Sequence, residues 1–123
     1  MTAPTTTTVP LSVHVLVYRE DDMWVAQCLD FDLADQGPDE PTAMRRVLHL
    51  LGHRIGMDLA AGRSPLADLP QAPEEFFSRV PVGFSSPGTV LPVYVPDPPK
   101  ARASGVASPR FHVQAMFHAE SNA

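Results

Sequence analysis

The stretch that decides the fold is residues 11–37, "LSVHVLVYREDDMWVAQCLDFDLADQG". Its first segment sets Val13, Val15 and Val17 on one side and His14, Leu16 and Tyr18 on the other, the two-residue period of a β-strand. A charged turn, "REDD" (19–22), follows. "MWVAQCLDF" (23–31) then resumes the alternation, so residues 11–31 predict an antiparallel hairpin. A short third strand is expected from Ala34 to Gln36, ended by Gly37 and Pro38. Asp39 has the chemistry of a helix N-cap, with Glu40 and Pro41 suited to the first turn.

The helix expected over residues 40–61 places Met44, Val47, Leu48, Leu51, Ile55 and Leu59 on one stripe that can cover a face of the hairpin. Gly62 and Pro65 end it. Its other face carries Arg45, Arg46, His49 and His53, a basic patch in an otherwise acidic chain. Gly52 and Gly56 lie inside the helix, each at a cost of about 1 kcal/mol relative to alanine. The simpler expectation is a locally weak helix; the alternative is a neighbour packed too close for a side chain.

Farther on, "APEEFFSRV" (72–80) predicts a short second helix anchored by Phe76 and Phe77. Residues 81–109 are dense in proline, and "VLPVYVPDPPK" (90–100) is expected to run as an extended connector or a sheet edge instead of a central strand. "RFHVQAMFHA" (110–119) alternates Phe111, Val113, Ala115 and Phe117 against His112, Gln114, Met116 and His118. It predicts a half-buried strand that packs on its own sheet or on a neighbouring molecule's. The expected organisation is a disordered tail at 1–10, a domain at 11–80, a connector at 81–109 and a final strand at 110–119. The fold class is α+β: a small curled antiparallel sheet of three to four strands with one main helix packed on it.

A chain of 123 residues suits one small core. The net charge of −5 argues against a binder that works by neutralising phosphates and suits a basic partner. A single cysteine, Cys28, excludes an intramolecular disulfide and any multi-cysteine zinc site, which makes a reducing cytoplasm the expected location. "MTAPTTTTVP" (1–10) has neither a basic region nor an apolar core, so neither a signal peptide nor a membrane span is expected there.

Three features invite a catalytic reading. Asp30, Asp32 and Asp35 could contribute to a two-metal site, but the first strand supplies no acid and Glu40 is the only one near the helix start. That set is incomplete. His49 and His53 have zinc-compatible spacing, yet "HLLGH" (49–53) lacks a glutamate beside the first histidine and has arginines around it. His14 has no nucleophile fixed beside it by a motif, and Cys28, mid-strand in apolar company, reads as an inert buried thiol. No catalytic residue, metal or cofactor is therefore expected. What remains is a surface for a protein partner, made of Trp24, Gln27, Asp30, Asp32, Asp35 and Gln36.

The succession of strand, charged turn, "WVAQCLDFDLADQG" (24–37) and an alanine-containing helix resembles the HicB-like antitoxin family. There an aromatic residue opens the second strand in a (Y/W)-V-A-x-x-P-E-L-P-G-C-x-x-x-G type pattern, followed by a helix with alanine near its first turn. The matching positions are Trp24, Val25, Ala26, Asp30, Leu33, Gln36, Gly37 and Ala43, within a resemblance that spans roughly residues 11–57. The resemblance implies a partial RNase H-like fold and a non-enzymatic module that neutralises a small basic HicA-type ribonuclease. Many members also repress their own operon through a C-terminal DNA-binding domain. Here "FDLAD" (31–35) replaces the family's proline-glycine turn, and residues 63–123 show no DNA-binding helix pair, so direct DNA binding is not expected. A homodimer is expected, with the final strand in the contact. The competing readings are an orphan structural homo-oligomer and a divalent-metal-dependent nuclease-like enzyme.

Overall fold

β1 (Thr8–Glu20) runs through the middle of the sheet and carries the alternation read above. Val13, Val15 and Val17 are buried on one face, Leu16 and Tyr18 on the other. The computed structural model describes residues 8–80, 89–96 and 110–120, excluding the side chains of 8, 9 and 110–112. Of the tail expected at 1–10, residues 8–10 belong to β1, while residues 1–7 and most of the proline-rich connector lie outside the described residues.

At Asp21 the backbone takes a positive φ of 56°, which aspartate tolerates better than most residues, and the chain reverses into β2 (Met23–Cys28). Pairs run from Glu20↔Met23 to Val15↔Cys28, antiparallel. β3 (Ala34–Gly37) pairs antiparallel with β2 and forms one edge. α1 (Glu40–Ala60) starts where Asp39 accepts a hydrogen bond from the Thr42 amide at 2.8 Å, and Gly62, at φ 73°, follows its end. Ala43, Val47, Leu51 and Ile55 bury its inner stripe against the valine face of β1, together with Ala26, Cys28, Val113 and Phe117.

The sheet has five strands, not three to four, and it is mixed instead of purely antiparallel. Its order is β3-β2-β1-β5-β4. β5 (Arg110–Ala119) lies beside β1 and parallel to it, in register from Thr8↔Arg110 to Val17↔Ala119. β4 (Thr89–Val93), inside the segment expected to be a connector, pairs antiparallel with β5 and forms the other edge. Proline is tolerable there because an edge strand has amides that no neighbour needs. Parallel neighbours cannot be joined by a tight turn, so strand order at this end was not readable from local signals.

The second face of the sheet is partly covered by the segment after α1, including α2 (Glu74–Phe77). Ala72 and Val80 are buried with Leu16, Tyr18 and Leu29, and Phe76 and Phe77 pack around them. Arg79 closes this layer. Its guanidinium lies 4.0 Å from the Tyr18 ring centroid and pairs with Glu120 at 3.2 Å, just past β5.

Gly52 and Gly56 have a packing reason, contrary to the simpler expectation of a weak helix. A Cβ on Gly52 would land on the carbonyl oxygen of Tyr94, and one on Gly56 would meet Pro96 Cγ at 3.4 Å. The chain leaving β4 thus rests on the helix through two glycines one turn apart. The two positions should respond differently. Gly52→Ala is expected to lose about 1–2 kcal/mol because the β4 tail must move. Gly56→Ala, in ordinary contact, is expected to be neutral or to gain up to about 1 kcal/mol from helix propensity. Urea unfolding measures both, and equal effects would contradict the close approach.

Candidate functional site

The six residues expected to form a partner surface are divided by the pleat. Trp24 pairs with Gly37 and Ala26 with Asp35, so Trp24 and Asp35 lie toward α1. Trp24 is half-buried against the core under the helix. Gln27 belongs to the opposite face and is buried, donating through Nε2 to the Cys28 carbonyl at 2.8 Å and to Asp32 Oδ1 at 2.9 Å. Asp30 accepts from the His14 amide at 2.6 Å. Much of the set is engaged in holding the β2–β3 loop.

Asp35 and Gln36 instead close the β3 edge. The Gln36 amide donates to Asp35 Oδ1 at 2.8 Å, and its carbonyl accepts from Arg46 Nη1 at 2.8 Å. Side chains thus occupy backbone groups that another strand would need. The β4 edge is blunted differently, by Pro92, which has no amide hydrogen.

The three aspartates do not assemble. Among the described residues no group of three or more His, Cys, Asp or Glu side chains is placed to hold a metal ion, and His49 and His53 acquire no third ligand. Cys28 is fully buried, and burial pushes its thiol up to about 11. Such a thiol is a poor nucleophile at neutral pH.

A pairing that sequence reading missed joins the two ends of the chain. His14 Nδ1 and His118 Nε2 lie 3.0 Å apart, with their rings stacked at 5.2 Å between centroids. His118 is buried, and burial, followed by the nearby His14, lowers its pKa, with the Asp30 carboxylate acting in the opposite sense. His118 therefore stays neutral in the fold below its ordinary value of 6.5. The unfolded chain takes up the proton first, so this group's contribution is complete above about pH 6.5 and is lost as pH falls toward the folded value. Thermal unfolding between about pH 8 and 5 should show that loss, and His118→Gln should flatten it. A stability that rises on acidification over this range would contradict the assignment.

A second missed feature lies along the flank where α1 meets β4. Two hollows of about 370 and 310 Å³ adjoin there and share Arg45 and Leu48. Pro92, Tyr94 and Pro96 line the larger, and Pro41, Met44 and Leu91 the smaller. Tyr94 is 82% exposed, and Met57, one helical turn beyond His53, is 51% exposed. Arg45, His49 and His53 stand along the rim, Glu40 is the acid among the lining residues of the two hollows, and Asp35 shares an adjoining hollow with Arg45, His49 and His53. The paired glycines were the sequence signal for this flank, because they require something to lie against the helix.

No family model matches the chain, and neither a curated protein nor a solved structure matches it.

Proposed function

We propose that this chain is a non-enzymatic protein-binding module of the HicB-like kind. The observation that supports the reading is the α1–β4 flank, where Tyr94 exposes a large aromatic surface in a hollow shared with Arg45, and Met57 is exposed farther along the helix. Aromatic residues, methionine and arginine are the types enriched in protein interfaces. The motif from Trp24 to Gly37 adds the resemblance to antitoxins, for which the partner is a small basic ribonuclease. The exposed acids of the hairpin turn, Glu20, Asp21 and Asp22, together with Asp32, supply negative charge to steer such a partner. A homodimer belongs to the same proposal, but β5 is an interior strand of its own sheet, so the contact would use a face of the domain and not its final strand.

Coexpression with a small basic HicA-type ribonuclease tests the reading. A complex that copurifies and suppresses ribonuclease activity is the expected result. A chain that elutes alone, with the ribonuclease fully active beside it, would overturn the antitoxin assignment.

A further inference from the structure

We infer that His49 and His53 form a chelating pair for a divalent metal ion that favours nitrogen ligands, copper(II) in first place, on the exposed face of α1. Their spacing alone does not make a zinc site with three protein ligands, and among the described residues the structure holds no such set. It does supply a setting for two ligands. Both histidines lie in an unbroken stretch of α1, four positions apart and exposed. At that separation the Cβ atoms are about 5–6 Å apart and both side chains lean toward the helix N-terminus, so two imidazoles can meet one ion without a change of backbone. They line the same two hollows, one shared with Tyr94 and Pro96 and the other with Asp35 and Leu50. Neither makes a side-chain hydrogen bond or ion pair with a described residue, whereas His14 and His118 are engaged with each other.

The neighbouring arginines do not close the site. Arg46 turns to the Gln36 carbonyl at 2.8 Å, and Arg45 shares its hollows with Asp35 and Glu40. Asp35 brings a negative charge to the hollow that both histidines line. Two imidazole nitrogens with water are a donor set for ions such as copper(II), nickel(II) and zinc(II), while magnesium and calcium require oxygen ligands. With imidazole ligands the affinity order places copper(II) first. Two protein ligands leave the other coordination positions to water, so the ion is held exchangeably at the mouth of the groove.

Isothermal titration of the full chain with copper(II), zinc(II) and magnesium(II) chlorides tests the assignment. One equivalent of copper(II) should bind, zinc(II) more weakly and magnesium(II) not at all. Losing one imidazole removes the chelate, so His49→Gln and His53→Gln should each weaken copper(II) roughly tenfold or more, and His112→Gln should leave it unchanged. Metal-free circular dichroism should match wild type for both glutamine variants, because both side chains are exposed. A second measurement needs no variant: copper(II) below one equivalent should broaden the amide NMR signals of residues 45–57 in the wild-type chain and spare those of 110–118. No saturable binding up to about 1 mM copper(II) would overturn the inference. So would glutamine variants that bind as wild type does, an equal loss in His112→Gln, or broadening centred on residues 110–118.

Discussion

Deleting residues 110–123 is expected to abolish folding, not to release a monomer from a dimer. β5 is hydrogen-bonded on both sides, to β1 in parallel and to β4 antiparallel. It also supplies Val113, Ala115 and Phe117 to the core beneath α1. Burying a large apolar side chain contributes about 1.5–3 kcal/mol, and a small domain's whole stability is about 5–15 kcal/mol. Losing Val113 and Phe117, orphaning the backbone edge of β1 and removing the Glu120 partner of Arg79 together consume most of that margin. Circular dichroism and proton NMR of the truncated chain should show an unfolded or aggregating species. A folded truncated protein would place β5 at the periphery and restore the exchanged-strand dimer.

Asp58→Ala is expected to cost about 2–3 kcal/mol, because it leaves a buried amide without an acceptor. Asp58 is 1% exposed at the end of α1, where its Oδ2 accepts from the Leu66 amide at 2.8 Å. Leu66, itself fully buried, sits at a φ of 63°, a left-handed conformation costly for a branched side chain. The carboxylate thus holds a strained residue in the core. Arg54 and Arg63 each approach Oδ1 at 3.3 Å, but both reach solvent, so their loss of a partner adds little.

Burial raises the Asp58 pKa, yet the Leu66 hydrogen bond and the two guanidiniums outweigh it and hold the carboxyl below its ordinary 3.8. Its stabilisation is therefore present above about pH 4 and lost as pH falls through the folded value, well below the window of His118. Chemical denaturation of Asp58→Ala and Asp58→Asn at neutral pH measures the effect. The asparagine, which keeps an acceptor for Leu66, should lose less. Equal losses would assign the cost to charge alone.

The hairpin, the Asp39 cap and the α1 stripe were legible because each is written in local periodicity and capping chemistry, and the helix bounds differ from expectation by one residue. The sheet's far half was not. β4 is masked by its proline and by a length of five residues, and the partner of β5 depends on a parallel pairing about a hundred positions away. The same distance hid the His14–His118 contact, although both residues lie in recognised strands on the sheet face that turns away from α1. Trp24 to Gly37 is divided between two faces because alternation sends neighbours to opposite sides, and Gln27, Asp30 and Asp32 are engaged in the loop's own hydrogen bonds.

The central claim is that partners meet this chain on the flank between α1 and β4. Hydrogen exchange of the protein alone and in the presence of a small basic HicA-type ribonuclease tests it most directly. Protection gained over residues 44–57 and 90–96, with little change over 24–37, is the predicted footprint. Protection confined to 24–37, leaving the helix and β4 as they are in the free chain, would contradict it.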